Sequence, residues 1–300
     1  MKTISTVDVV GLGALGTMYA SDFTLALGKE NVRVLADASR TGRYRREGVF
    51  FNGRPCDLSF CDAASETRPS QLILYAVKYG ALSQAMDETA HLIGPDTVIL
   101  SVLNGIRSEE DLSARFGADK VVYCIARKMD AGKDGNRAVC KNHGELALGI
   151  RNGGIEENLT AVVDLFQRIG FPYALPEDIR RDMWSKLLCN VGVNQTCSLL
   201  EGGYGLVHQP GPARDMMQAA MREVVAVANA EGIGLTEQDV TEWSATIDGL
   251  NPDGEPSMRQ DSKAGRPTEV QLFAGTICAL GRKHGIPTPV NDVFLERLPG

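Results

Sequence analysis

Val7-Asp8-Val9-Val10-Gly11-Leu12-Gly13-Ala14-Leu15-Gly16 sets a β-branched run, a glycine turn and the start of a helical pattern in immediate succession. That order suits the binding of a dinucleotide. Gly11 permits a tight turn, Gly13 lets the backbone approach a diphosphate, and Gly16 lets helix and strand pack closely. The helix N-terminus adds free N–H groups and the positive end of its dipole. Glycine is common, so an ordinary strand-to-helix turn is the bland alternative. The position at the head of a βαβ unit favours a cofactor cradle made of Gly11, Leu12, Gly13, Ala14, Leu15 and Gly16.

Beyond this stretch, Ala14 to Leu27 reads as a helix and Val32 to Ala36 as the next strand. Leu72 to Val77, Val98 to Val102 and Val121 to Ile125 are further apolar runs of strand length. Continuous apolar strands are buried on both faces, as in a parallel sheet covered by helices. Arg137 to Lys141 and Glu145 to Ile150 read as a later antiparallel pair at an added edge. Past Pro176 the patterns become long and helical: Ile179 to Leu200, Pro212 to Glu231, Glu237 to Ile247 and Thr268 to His284. The expected fold class is α/β: a Rossmann-type doubly wound sheet in residues 1–177, followed by an all-helical substrate domain in residues 178–300.

Composition narrows the partners. The chain has 300 residues, 43% of them hydrophobic and 23% charged, which is the make-up of a soluble globular protein. Lys plus Arg number 31 against 38 acidic residues, a net charge of −7 that argues against nucleic-acid or anionic-membrane partners. No apolar run reaches the roughly 18 residues of a membrane span, and the start of the chain lacks a signal-peptide pattern. A cytoplasmic location is expected. The seven cysteines are scattered without a Cys-x-x-Cys pair, and the four histidines lie far apart. They read as reduced thiols, with no metal site suggested.

At the end of the second strand, Asp37 lies about 20 residues beyond the glycines, near the place of a carboxylate that binds the ribose 2′-hydroxyl of NAD. Arg40 and Arg43 follow, and guanidinium forks suit the 2′-phosphate of NADP. The bland reading of Asp37 to Arg40 is a loop with helix-start residues. An Asp facing a 2′-phosphate would be repelled unless it turned away or paired with an arginine, and the reading leans to NADP with NAD left open. Lys78 and Asn104 each stand near the carboxyl end of a strand, where open α/β sheets bind ligands. Either could equally be a turn residue.

In the helical half, Lys186, Asn190 and Asn194 recur every four residues through an otherwise apolar segment. A step of four advances an α-helix by about 40°, so the three share one stripe. Burying such groups unpaired costs several kcal/mol, so the stripe faces water, a ligand or satisfying partners. Further along, Ser257 reads as an N-cap with Asp261 behind it, and Thr268 reads as a second cap. Glu269 then falls in the first helical turn, where a carboxylate suits the dipole.

Gly11 to Gly16, Ala76-Val77-Lys78, Leu103-Asn104-Gly105, the Lys186/Asn190/Asn194 stripe, Ser257-Met258 and Thr268-Glu269 together resemble the ketopantoate reductases, the 2-dehydropantoate 2-reductases of pantothenate synthesis. The resemblance runs over almost the whole chain, to Gly285-Ile286-Pro287-Thr288-Pro289-Val290-Asn291. It implies an active site in a cleft between the two domains, where NADPH delivers hydride to the 2-keto carbon. It further implies Lys186 as general acid, with Asn190, Asn194 and Ser257 holding the substrate. Glu269 would orient substrate or ribose, Asn104 would sit where nicotinamide and substrate meet, and Lys78 would lie near the cofactor. Many relatives carry an arginine where the second strand ends; this chain has Asp37, with Arg40 three residues later. Two other readings stand beside this one: a reductase of a different 2-keto acid, and a non-catalytic NADP-binding sensor. The sequence leaves a homodimer open.

Overall fold

The structure is a computed structural model that describes residues 2–151 and 153–300. It divides into two units, one made of the chain up to Leu103 with Arg107–Ile179, the other of Asn104–Ile106 with Arg180–Gly300.

The strands of the first unit are β1 (Val7–Val10), β2 (Val32–Ala36), β3 (Phe50–Phe51), β4 (Arg54–Pro55), β5 (Ser59–Asp62) and β6 (Leu72–Tyr75). They continue as β7 (Val98–Ser101), β8 (Tyr123–Arg127), β9 (Gly132–Asp134), β10 (Arg137–Val139), β11 (Glu145–Gly149) and β12 (Tyr173–Ala174). The helices among them are α1 (Ala14–Leu27), α2 (Ala38–Glu47), α3 (Leu82–Thr89), α4 (Ser108–Phe116) and α5 (Glu156–Ile169). A parallel sheet runs in the order β5-β2-β1-β6-β7, so chain order reverses at β1. That reversal places the glycine turn at the switch point where such sheets bind ligands. The apolar runs at β1, β2, β6 and β7 are buried throughout, as two-sided cover requires.

Two charged residues interrupt that apolar core. Asp8 and Arg33 face each other in the β1–β2 register, 2% and 4% exposed. Arg33 Nε donates to Asp8 Oδ1 at 2.6 Å, Ser70 Oγ also donates to Asp8, and Arg33 pairs with Glu66 at 3.0 Å. A buried charge survives only with partners of this kind.

The expected pairing of residues 137–141 with 145–150 is corrected. β10 pairs antiparallel with β9 and parallel with β3, while β11 pairs antiparallel with β8 and parallel with β12. The two strands therefore serve different sheets. The cause is long-range: Asn52 exchanges hydrogen bonds with the backbone of Cys140 at 2.9 Å, which draws β10 to β3.

In the second unit the chain forms α6 (Ile179–Cys189), a π-helical turn over Asn190–Asn194, and α7 (Gln195–Leu199). There follow α8 (Pro212–Ala230), α9 (Glu237–Asp248), α10 (Ser257–Lys263), a second π turn over Gln271–Gly275, α11 (Thr276–His284) and α12 (Pro289–Arg297). Helix α9 opens with a capping box between Thr236 and Asp239. Helix α11 closes on Gly285 in the left-handed region, φ +68°. The N-terminus of α12 is satisfied by Glu223 of α8, whose carboxylate accepts from Val290 N at 2.8 Å and Asn291 N at 3.0 Å. None of the helices among the described residues is long and apolar enough to cross a membrane.

The π turns come from packing. A Cβ on Gly192 would lie 2.6 Å from Met221 of α8, so only glycine permits that approach. In the second turn, Gly275 N reaches back to Val270 O at 3.0 Å, and Ala274 N is satisfied by the Gln195 side chain at 3.1 Å.

Candidate active site

In the first unit the glycines divide the labour that the motif implies. Gly11 has φ +96°, and a Cβ there would meet Val77 Cγ1 at 2.7 Å and Ala76 O at 2.9 Å. A Cβ on Gly16 would lie 2.0 Å from Gly11 O. Both are glycines by steric necessity. Gly13 is different: its φ of −68° suits any residue, and a Cβ would have only an ordinary 3.6 Å contact with Ala76 O. The space it leaves is open to a ligand rather than filled by protein. Gly13 is also the N-cap of α1, with no side-chain cap and no acidic residue in the first turn. The first-turn amides of Ala14, Leu15 and Gly16, which an α-helix leaves without a carbonyl partner, therefore keep their capacity for an anion. This turn fits the diphosphate of a dinucleotide.

Beside it, a shallow recess is lined by Gly11, Leu12, Ala36, Arg40, Tyr44 and Val77, among others. Asp37 turns out to be the N-cap of α2. Its carboxylate accepts from Arg40 N at 2.8 Å and pairs with Arg40 Nε at 3.3 Å. The helix-start reading of Asp37 thus holds, and its charge is compensated by the arginine expected to contact a 2′-phosphate. Lys78 is exposed, three residues beyond the end of β6, and opens a 3₁₀ turn at Tyr79–Ala81.

In the second unit three expected residues are chained together. Lys186 Nζ donates to Asn104 Oδ1 at 3.3 Å, and Asn104 Nδ2 donates to Glu269 Oε2 at 3.1 Å. Gly105 supports this arrangement: at φ +86° a Cβ would lie 3.0 Å from Leu272. Burial pushes the Cys189 thiol up to about 12, against the opposing pull of Lys186, so the thiol beside the ammonium stays neutral.

Asn190 and Asn194 also share a face, with Asn194 Nδ2 donating to Asn190 Oδ1 at 3.3 Å. The expectation of a plain α-helical stripe is corrected, because both asparagines lie in a π turn. Such turns widen the helix and recur at functional sites. Asn190 Nδ2 is buried with no acceptor among the described residues. A buried amide donor left unsatisfied costs about 1–3 kcal/mol, so this atom retains the capacity to donate one more hydrogen bond.

Two cap assignments are corrected. Pro256 is the N-cap of α10 and Ser257 its first residue, exposed and joined to neither asparagine by a hydrogen bond among the described residues. The helix expected from Thr268 begins at Gln271, so Glu269 precedes it and offers its carbonyl to Phe273 N at 3.0 Å. The residues that sequence reasoning missed are Tyr44, which lines the recess, and Lys133, whose ammonium donates to Leu12 O in the glycine turn. No local motif marks Lys133; only the fold brings it there. Among the described residues no group of three or more His, Cys, Asp or Glu is placed to hold a metal ion.

Comparison with known proteins bears on the family and the fold. Residues 7–153 match the family model "Ketopantoate reductase PanE/ApbA", and residues 178–299 match its C-terminal counterpart. The chain is 28% identical over 297 residues to a 2-dehydropantoate 2-reductase of Streptococcus pyogenes serotype M1, covering 97% of this chain and 95% of that one. Among solved structures it is similar to the 2-dehydropantoate 2-reductase of Geobacter metallireducens GS-15, with a TM-score of 0.85, 25% identity and coverage of 97% and 99%. The fold is also that of a D-mandelate dehydrogenase solved with NADH and anilino(oxo)acetate, with a TM-score of 0.85, 22% identity and coverage of 97% and 96%. With both halves of the chain matched in order, the protein belongs to the ketopantoate reductase family of oxidoreductases.

Proposed function

We propose that this enzyme reduces 2-dehydropantoate (ketopantoate) to pantoate with NADPH, in pantothenate synthesis. The observation that carries the reading is the Lys186–Asn104–Glu269 chain, set in the same unit as the orphaned Asn190 Nδ2. Nicotinamide, when bound, supplies the hydride. As the carbonyl π bond breaks, its electron pair moves onto oxygen, and Lys186 Nζ donates a proton to that oxygen. The lysine is left as an amine and recovers its proton from water. An ammonium within hydrogen-bonding reach both stabilises the developing charge and supplies the proton.

Asn104 and Glu269 act on the lysine. The carboxylate can accept only from the amide nitrogen, so it turns the Asn104 oxygen toward the ammonium. Asn190 Nδ2 is the donor for a substrate carboxylate or hydroxyl oxygen, with Asn194 fixing its orientation. Ser257, at the exposed start of α10, is the remaining substrate contact. In the first unit the Gly11–Gly16 turn takes the diphosphate and Arg40 takes the 2′-phosphate, with Lys78 a further cofactor contact. Asp37 does not oppose that phosphate, because it is held by the α2 N-terminus and by Arg40.

A second reading keeps the machinery and changes the substrate. The lysine chain requires only a carbonyl, and the same fold serves a D-mandelate dehydrogenase. A sensor is a weaker reading, since it has no need for an ammonium oriented in this way. The test is oxidation of NADPH, with NADH in parallel, against a panel of 2-keto acids that includes ketopantoate. The proposal expects the highest kcat/KM with ketopantoate and NADPH. A faster different keto acid supports the second reading, and no turnover with any of them supports the sensor.

A further inference from the structure

Lys133 belongs to β9, whose turn to β10 passes through Gly135 at φ +54°. This hairpin is fastened at two points. Asn136 Nδ2 donates to Glu47 O at 2.9 Å and Gly48 O at 3.0 Å, at the C-terminus of α2. The Lys133 ammonium reaches the other way and donates to the carbonyl of Leu12, between Gly11 and Gly13. An ammonium has three donors, and one carbonyl uses only one of them.

Its electrostatic setting is unusual. Among the described residues no carboxylate pairs with Lys133, and the charge that bears on it is Arg43 of α2, a second cation. Burial, and then Arg43, pull its pKa below the ordinary lysine value. A half-buried cation facing another cation is costly unless an anion completes the site. The open amides at the start of α1 and the space left by Gly13 face the same need.

We propose that Lys133 is a cofactor-binding residue that contacts the diphosphate of the dinucleotide from the β9–β10 hairpin. The inference rests on the dinucleotide reading of the glycine turn. Because both nicotinamide cofactors carry the diphosphate, Lys133 serves NADH and NADPH alike, whereas Arg40 separates them.

The experiment measures Kd for NADH and NADPH by fluorescence titration on wild type, Lys133→Gln and Lys133→Arg, with Tm recorded for each. Glutamine keeps a donor for Leu12 O but removes the charge. Lys133→Gln should keep a Tm near wild type and raise both Kd values together by about 10- to 100-fold, the worth of a charge-assisted hydrogen bond. Lys133→Arg should recover most of the affinity. Unchanged Kd values in Lys133→Gln would overturn the inference, as would weakening of NADPH alone. A fall in Tm accompanied by equal loss in Lys133→Arg would show a structural tie and also overturn it. Wild type that binds neither cofactor would instead overturn the dinucleotide reading itself.

Discussion

The Asn104 carboxamide is oriented by Glu269: its nitrogen donates to the carboxylate at 3.1 Å, which leaves its oxygen for the Lys186 ammonium at 3.3 Å. Glu269→Gln removes this constraint, because a glutamine can accept or donate and lets the Asn104 amide turn over. The expected outcome is a fall in kcat of about 10- to 100-fold, less than the roughly 10²- to 10⁴-fold worth of the positioned acid itself, because the lysine remains in place. NADPH affinity should change less than twofold. Steady-state kinetics with a separate cofactor titration checks both.

The reach of the sequence differs between these features. The steric roles of Gly11 and Gly16 were legible because turn, strand and helix are contiguous, and the helix from Ala14 to Leu27 lies where the pattern sets it. The β10–β3 pairing was not, since Arg137 finds Phe50 only in the folded chain. The π turn at Asn190 was hidden for a related reason: it depends on Gly192 meeting Met221 of another helix. The four-residue spacing of Lys186, Asn190 and Asn194 was visible, but the π turn that holds the two asparagines and the connection of Lys186 through Asn104 to Glu269 were not.

The proposed preference for NADPH assigns the 2′-phosphate to Arg40. Its guanidinium already pairs with Asp37 at 3.3 Å and lines the recess beside the glycine turn. Arg40→Ala should weaken NADPH by about tenfold or more and NADH little, narrowing the preference. Parallel titrations of the two cofactors would show it; equal weakening counts against a 2′-phosphate contact.

Stability of the sheet depends on the ion pair inside it. Arg33→Ala leaves Asp8 buried beside Ser70 without its cation. Removing one partner of such a pair costs about 3–5 kcal/mol. Urea unfolding should show that loss, while an Arg33→Ala protein as stable as wild type would mean that water replaces the guanidinium.

Glu231 gives the helical unit an acid-sensitive contact. Hydrogen bonds from Lys283 at 2.7 Å and then His284 at 2.6 Å hold its carboxyl below the ordinary glutamate value. A carboxyl with a folded pKa below its unfolded one contributes stability above the unfolded value, about 4.3, and loses it as pH falls through the lower folded value. Glu231→Gln should therefore be less stable than wild type at pH 7, by about 1 kcal/mol given the exposure of Lys283. The gap should close below about pH 4. Tm measured across that range tests it.

The central claim is that Lys186 delivers the proton to the reduced carbonyl. Single-turnover reduction of ketopantoate by Lys186→Ala, with NADPH affinity measured on the same sample, tests it most directly. The account predicts a rate lower by about 10²- to 10⁴-fold with cofactor affinity retained. A variant that reduces ketopantoate at the wild-type rate would contradict it.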